Sequence, residues 1–115
     1  MTKLSNKPWG EEYLLAAGDR YCVKQLVVWP GRRVSLQTHQ HRSEHWTIVR
    51  GVATVQIGKS ETTYHTGRCC TIARGMVHRL SSRGRSNLIV SEVQYGDYLG
   101  DDDIVRIQDD YGRET

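Results

Sequence analysis

Turn-forming residues interrupt this chain about every ten positions, and the segments between them are short and rich in Val, Ile and Thr. Tyr21 to Trp29 alternates and stops at Pro30-Gly31. Val34 to His41 can extend next, then Glu44 to Val49 closed by Gly51, then Val52 to Ile57 closed by Gly58. Further runs cover Cys69 to Ala73, Val77 to Leu80 and Leu88 to Val93. Strands of this length at this spacing build an antiparallel sandwich or barrel. A hairpin is expected across Arg50-Gly51, and Thr62 to His65 is expected to pair with the strand before it. No long stretch has helical periodicity. Residues Asp101 to Tyr111 offer at most one short turn, because three successive aspartates suit a helix start better than its interior. The fold class is all-β.

A chain of 115 residues makes one domain, here 1–115 with residues 1–8 as a loose N-terminal arm. Hydrophobic residues at 37% and charged ones at 25% place it among ordinary globular proteins rather than disordered ones. Met1 to Trp9 holds two lysines and no apolar core, and no apolar run reaches the roughly 18 residues of a membrane span. A cytoplasmic protein without membrane association is expected. The net charge of +3 is spread from Lys3 to Arg113 with no dense basic run. That argues against nucleic acid and for a small anionic ligand met by a few arginines. Cys22, Cys69 and Cys70 are odd in number and lack CxxC spacing, so three free, inert thiols are expected.

Histidines and a carboxylate gather in two places: His39-Gln40-His41 with Glu44, flanked by Gly31 and Gly51, and His78 after Gly67 and Gly75. If residues 33–41 are one extended strand, Arg33, Ser35, Gln37, His39 and His41 share a face. His39 and His41 would then sit about 7 Å apart, suited to one ion. Glu44 follows after a bend and can add an oxygen, and His78 would close the shell from a distant strand. Three imidazoles and one carboxylate leave open coordination positions, as a catalytic site requires. The expected cofactor is one divalent ion, with zinc placed ahead of manganese, cobalt and iron. His45 turns to the opposite face by parity, towards packing or an interface, and His65 lies outside both clusters. Asp101-Asp102-Asp103 lacks the spaced oxygens of a calcium loop and reads as a solvated turn or cap.

These residues resemble the two motifs of the cupin superfamily. Gly31, His39-Gln40-His41, Glu44 and, after six intervening residues, Gly51 match the first. Gly67, Ala73-Arg74-Gly75 and His78 match the second, with Ala73 for its proline and Ser82 for its asparagine. The first motif is also longer before the histidines and shorter between His41 and Glu44. The stretches KPWGEEYLL, HQHRSEHW, GMVHRL and EVQYGDYLGDDDIVRIQDDYGR further resemble the type II phosphomannose isomerase domain, over Lys7 to Arg113. That domain is often the C-terminal part of an enzyme that also carries mannose-1-phosphate guanylyltransferase, an activity not expected of this chain.

The resemblance implies a single-domain cupin (jelly-roll) antiparallel β-barrel acting in GDP-mannose biosynthesis, and a homodimer. It implies metal-dependent interconversion of mannose 6-phosphate and fructose 6-phosphate. Glu44, Lys24 and Gln37 are the catalytic candidates. Lys24 can enter the cavity as base or phosphate partner, or lie along the rim; Gln37 can face the ion, a sugar hydroxyl or trapped water. Arg79, next to His78, is the first choice for the phosphate and Arg33 the second, since a guanidinium offers paired donors. Two other functions fit the same residues: another metal-dependent cupin enzyme such as an oxygenase, and a sugar-phosphate-binding module without turnover.

Overall fold

The computed structural model describes residues 1–115 and is built from eleven strands and one 3-10 turn, Asp101–Asp103. The strands are β1 (Thr2–Lys7), β2 (Gly10–Gly18), β3 (Tyr21–Val28), β4 (Leu36–Thr38), β5 (Arg42–Arg50) and β6 (Ala53–Ile57). They continue with β7 (Ser60–Tyr64), β8 (Cys69–Ile72), β9 (His78–Ser82), β10 (Leu88–Gly96) and β11 (Val105–Gln108). Six form one sheet in the order β1-β2-β3-β10-β5-β8, and five the other, β11-β4-β9-β6-β7. All named pairings are antiparallel. No helix is long and apolar enough to cross a membrane.

The all-β expectation holds, and β7 pairs with β6 as expected. Two local expectations fail. Residues 2–7, read as a loose arm, form β1 against β2. The hairpin across Arg50-Gly51 does not form: β5 pairs with β10 and β8, whereas β6 pairs with β7 and β9. Gly51, at φ 95°, turns the chain from one sheet into the other.

The inner faces of β5 and β10 explain where a pocket can open. Along β5 the inward residues run Arg42, Glu44, Trp46, Ile48; along β10 they run Leu88, Val90, Glu92, Gln94. The antiparallel register sets Val90 beside Ile48 and Gln94 beside Glu44, so like meets like. At one end Ile48, Leu88 and Val90 pack with Val28, Val55, Ile72 and Leu80 in the apolar core. Burying each such side chain stabilises the fold by about 1.5–3 kcal/mol. The other end is polar, and there the barrel stays open.

The C-terminal segment closes the side of that opening. Beyond β11, Asp110 accepts two bonds from the Arg33 guanidinium, at 2.8 and 2.9 Å. Tyr111 Oη donates to the Arg33 carbonyl, and Arg113 makes a paired contact with Asp109 at 2.8 and 3.0 Å. The Arg113 bond holds the Asp109 carboxyl below the usual range, and the Arg33 bond does the same for Asp110. A carboxylate with a depressed folded-state pKa stabilises above its unfolded pKa, and that stability is lost as pH falls through the folded value. The segment after Ile104 should therefore loosen below about pH 4. Amide exchange at Arg106 and Gln108 that speeds up at pH 3 relative to pH 6, beyond the intrinsic change, would show it. Unchanged protection would contradict it.

Candidate metal site and pocket

His39, Glu44 and His78 come together at the floor of the opening, all buried, each offering a ligand atom within 4.8 Å of the others. His39 follows the end of β4, Glu44 faces inward from β5, and His78 opens β9. Gly75, in the left-handed region at φ 74°, donates its N–H to the His39 carbonyl at 2.8 Å and so joins the two motif loops. The imidazole rings of His39 and His78 meet edge to face at 4.7 Å.

The surroundings of each ring suit a divalent ion. His39 Nδ1 lies 3.0 Å from the Arg42 carbonyl, and His78 Nδ1 lies 2.7 Å from the Met76 carbonyl. A carbonyl only accepts, so each Nδ1 carries a proton, and in the neutral ring each Nε2 is left with the lone pair that an ion takes. His39 Nε2 is buried and makes no hydrogen bond of acceptable geometry, though Glu44 Oε2 is 3.2 Å away. An orphaned buried nitrogen beside a carboxylate is what a ligand set presents before its ion binds. Burial lowers the pKa of His78, which keeps the ring neutral as a ligand must be.

The structure corrects the expected fourth ligand. His41 is exposed, with its ring 3.4 Å from Asp97, 4.0 Å from Asp103 and edge-on to Tyr98. Strand β4 ends at Thr38, and the backbone N–H groups of Gln40 and His41 are held by the Asp103 carboxylate. Alternation therefore stops before His41. Where it still applies, it brings Gln37 in: Gln37 is paired with His78 across β4 and β9 and lines the pocket. The i, i+2 pair of the site is Gln37 and His39.

Glu44 sits in a buried hydrogen-bonded row. Arg42 Nε donates to its Oε2 at 2.9 Å. Trp46 Nε1 is shared between Glu44 and Glu92, at 3.0 Å to each, and Gln94 donates to Glu92 at 2.7 Å. Burial opposes the charge on Glu44, but contact with His39 and the Arg42 guanidinium outweighs it, and the carboxyl is held well below its usual range. Burial, and then the charge of Glu44, push Glu92 far the other way. Burial and the nearness of the two carboxyls thus drive their pKa values apart, Glu44 down and Glu92 up.

Neither arginine assigned to the phosphate reaches this pocket. Parity puts Arg79 on the face opposite His78, where its guanidinium donates to the carbonyls of Val34 and Gln108 at 3.0 and 3.1 Å. Arg33 is occupied by Asp110 on the outer surface. Lys24 does line the pocket, with Nζ 3.2 Å from Glu12. His45 points outward to the Thr71 hydroxyl at 3.2 Å, and His65 is exposed. The three cysteines are free.

Residues 1–109 match the family model described as mannose-6-phosphate isomerase C-terminal. The chain belongs to this family. As one of its members, it is 44% identical over 107 residues to the xanthan biosynthesis protein XanB of Xanthomonas campestris, covering 93% of this chain and 23% of that protein. It is 43% identical to a mannose-1-phosphate guanylyltransferase of Sinorhizobium fredii, covering 94% of this chain and 21% of the other. The chain thus spans less than a quarter of the length of these curated relatives. Among solved structures, the capsular polysaccharide assembling protein CapF of Staphylococcus aureus superposes with a TM-score of 0.76 at 15% identity, over 94% of this chain and 32% of that one. A cupin domain of Schizosaccharomyces pombe Cnp3 gives 0.72 at 11% identity, over 76% and 64%. The fold is a cupin barrel.

In this isomerase-type cupin Glu12, Arg42, Trp46, Glu92 and Gln94 also line the pocket, though no motif marks them. The signal was present. Arg42, Glu44 and Trp46 alternate along β5, and Glu92 and Gln94 alternate along β10, so polar residues occupy positions an all-apolar barrel would give to Val or Leu.

Proposed function

We propose that this domain interconverts mannose 6-phosphate and fructose 6-phosphate with a divalent ion held by His39, Glu44 and His78, and Gln37 beside them. The observation that carries the reading is the buried triad with its orphaned His39 nitrogen, set at the floor of a pocket that also holds a lysine–carboxylate pair. The family supports it. Bound there, the ion would supply Lewis acidity towards the sugar's oxygens.

The chain's own groups account for the rest. Turning the aldose into the ketose moves one proton from C2 to C1 and one from O2 to O1. Burial lowers the pKa of Lys24, but the negative charges facing it, Glu12 first and then Asp101, outweigh it and the net shift is upward. Lys24 therefore stays an ammonium and acts as a donor to a sugar oxygen rather than as the base. To Glu12, which accepts the bond from Lys24 at 3.2 Å and lines the pocket, we assign the role of taking the carbon-bound proton and returning it. Ionised Glu44 keeps a negative charge at the floor, and Trp46 and Arg42 hold it in place.

A coupled assay with mannose 6-phosphate tests the reading, using protein stripped by chelator and then reloaded with zinc, manganese, cobalt or iron. Stripping should lower turnover at least about a hundredfold and one of the four metals should restore it. Full turnover in the stripped protein, or none with any of the metals, would overturn it.

A further inference from the structure

We propose that Arg106, assisted by Lys7, is the anion anchor of this pocket and takes the substrate's phosphate, an inference that rests on the isomerase reading for the identity of the sugar. Five cationic side chains line the pocket: Lys7, Lys24, Arg42, Arg106 and Arg113. Three are already matched by a carboxylate, Lys24 by Glu12 at 3.2 Å, Arg42 by Glu44 at 2.9 Å and Arg113 by Asp109 at 2.8 Å. Lys7 and Arg106 form no ion pair, so theirs is the positive charge left for an incoming anion. Of the two, Arg106 has the planar fork that meets two phosphate oxygens at once.

The sheet register fixes where that fork stands. Arg106 on β11 is paired with Gln37 on β4, and Gln37 with His78 on β9. Directly paired residues project to the same face, so Arg106, Gln37 and His78 form one row across three adjacent strands. At about 4.8 Å per strand, the backbone of Arg106 is roughly 10 Å from that of His78. A hexose 6-phosphate carries its reacting carbons, C1 and C2, at one end and its phosphate at the other. A row with the triad at one end and an unmatched guanidinium at the other fits those two ends. Val105 and Ile107, on either side of Arg106, are exposed, which leaves Arg106 as the residue of β11 that turns inward. The C-terminal segment is what places it: buried Arg79, on the face of β9 opposite His78, binds the Gln108 carbonyl, and exposed Arg33 binds Asp110.

Calorimetry on the full, metal-loaded chain tests this with three probes: mannose 6-phosphate, unphosphorylated mannose and inorganic phosphate. Arg106→Ala should weaken mannose 6-phosphate and inorganic phosphate by about ten- to a hundredfold, and Arg106→Lys by less. Mannose should bind equally poorly to all forms. In the coupled assay KM should rise more than kcat falls, with metal content unchanged. Arg83→Ala, in the polar groove on the outer face, should behave as wild type. Unaltered phosphate affinity in Arg106→Ala, with a melting temperature near wild type, would overturn the proposal. A comparable loss in Arg83→Ala would overturn it as well, placing the anion in the outer groove. Phosphate binding that depends on Arg106 in a protein with no turnover would uphold the anchor and overturn the isomerase reading.

Discussion

Replacing His39 or His78 with alanine is expected to take the bound divalent ion from about one per chain to near zero and to abolish turnover. Both rings are buried, and each has its Nδ1 held by a backbone carbonyl, so each presents a single Nε2 to the site that alanine does not replace. Removing a partner that merely orients a ligand costs roughly 10–100-fold in metal affinity, and removing the ligand itself should cost more. His41→Ala should leave metal content unchanged, because that ring faces Asp97 and solvent. Elemental analysis of the purified variants decides the matter. Full metal in His39→Ala and His78→Ala, or its loss in His41→Ala alone, would contradict the site as drawn.

Removal of Arg42 should produce the largest loss of stability of any single charge. Its guanidinium is 3% exposed, lies 2.9 Å from Glu44 and also reaches the Leu99 carbonyl at 3.5 Å. Arg42→Ala leaves the Glu44 carboxylate buried without its cation, and breaking a buried pair from one side costs about 3–5 kcal/mol. A bound divalent ion gives Glu44 another positive partner. The loss should therefore be largest in chelated protein and smaller after zinc is added. Urea denaturation of both forms measures it. A loss below about 1 kcal/mol in the stripped protein would mean that Glu44 does not need Arg42, against the account of this row.

What the sequence made legible follows from where strand alternation holds. His39, Glu44 and His78 could be picked out because each sits at an inward position next to a strand or turn that glycine punctuation marks. His41 could not be excluded, because the end of β4 at Thr38 depends on Asp103, more than sixty residues away, capturing two backbone N–H groups. Arg79 obeys the same alternation: the parity that turns His45 away from Glu44 turns Arg79 away from His78. The first strand was hidden by its polarity. Lys3, Ser5 and Asn6 belong to an exposed edge strand, with no buried face to write an alternating pattern. The Gly51 turn looked like a hairpin because a tight turn between two strands does not reveal which sheet each strand will join. Arg106 was invisible for a similar reason, since only the pairing of β11 with β4 brings it into line with Gln37.

The most direct measurement is a proton NMR time course of mannose 6-phosphate in deuterated water with zinc-loaded protein. The expected result is that the two sugar phosphates reach the same equilibrium ratio from either starting sugar and that the C2 proton of mannose 6-phosphate exchanges for deuterium, as the proposed proton transfer through a carboxylate in the open pocket requires. His78→Ala should show neither change. A zinc-loaded wild-type protein that binds the sugar phosphate yet leaves both sugars unconverted and the C2 proton in place would contradict the proposed transfer.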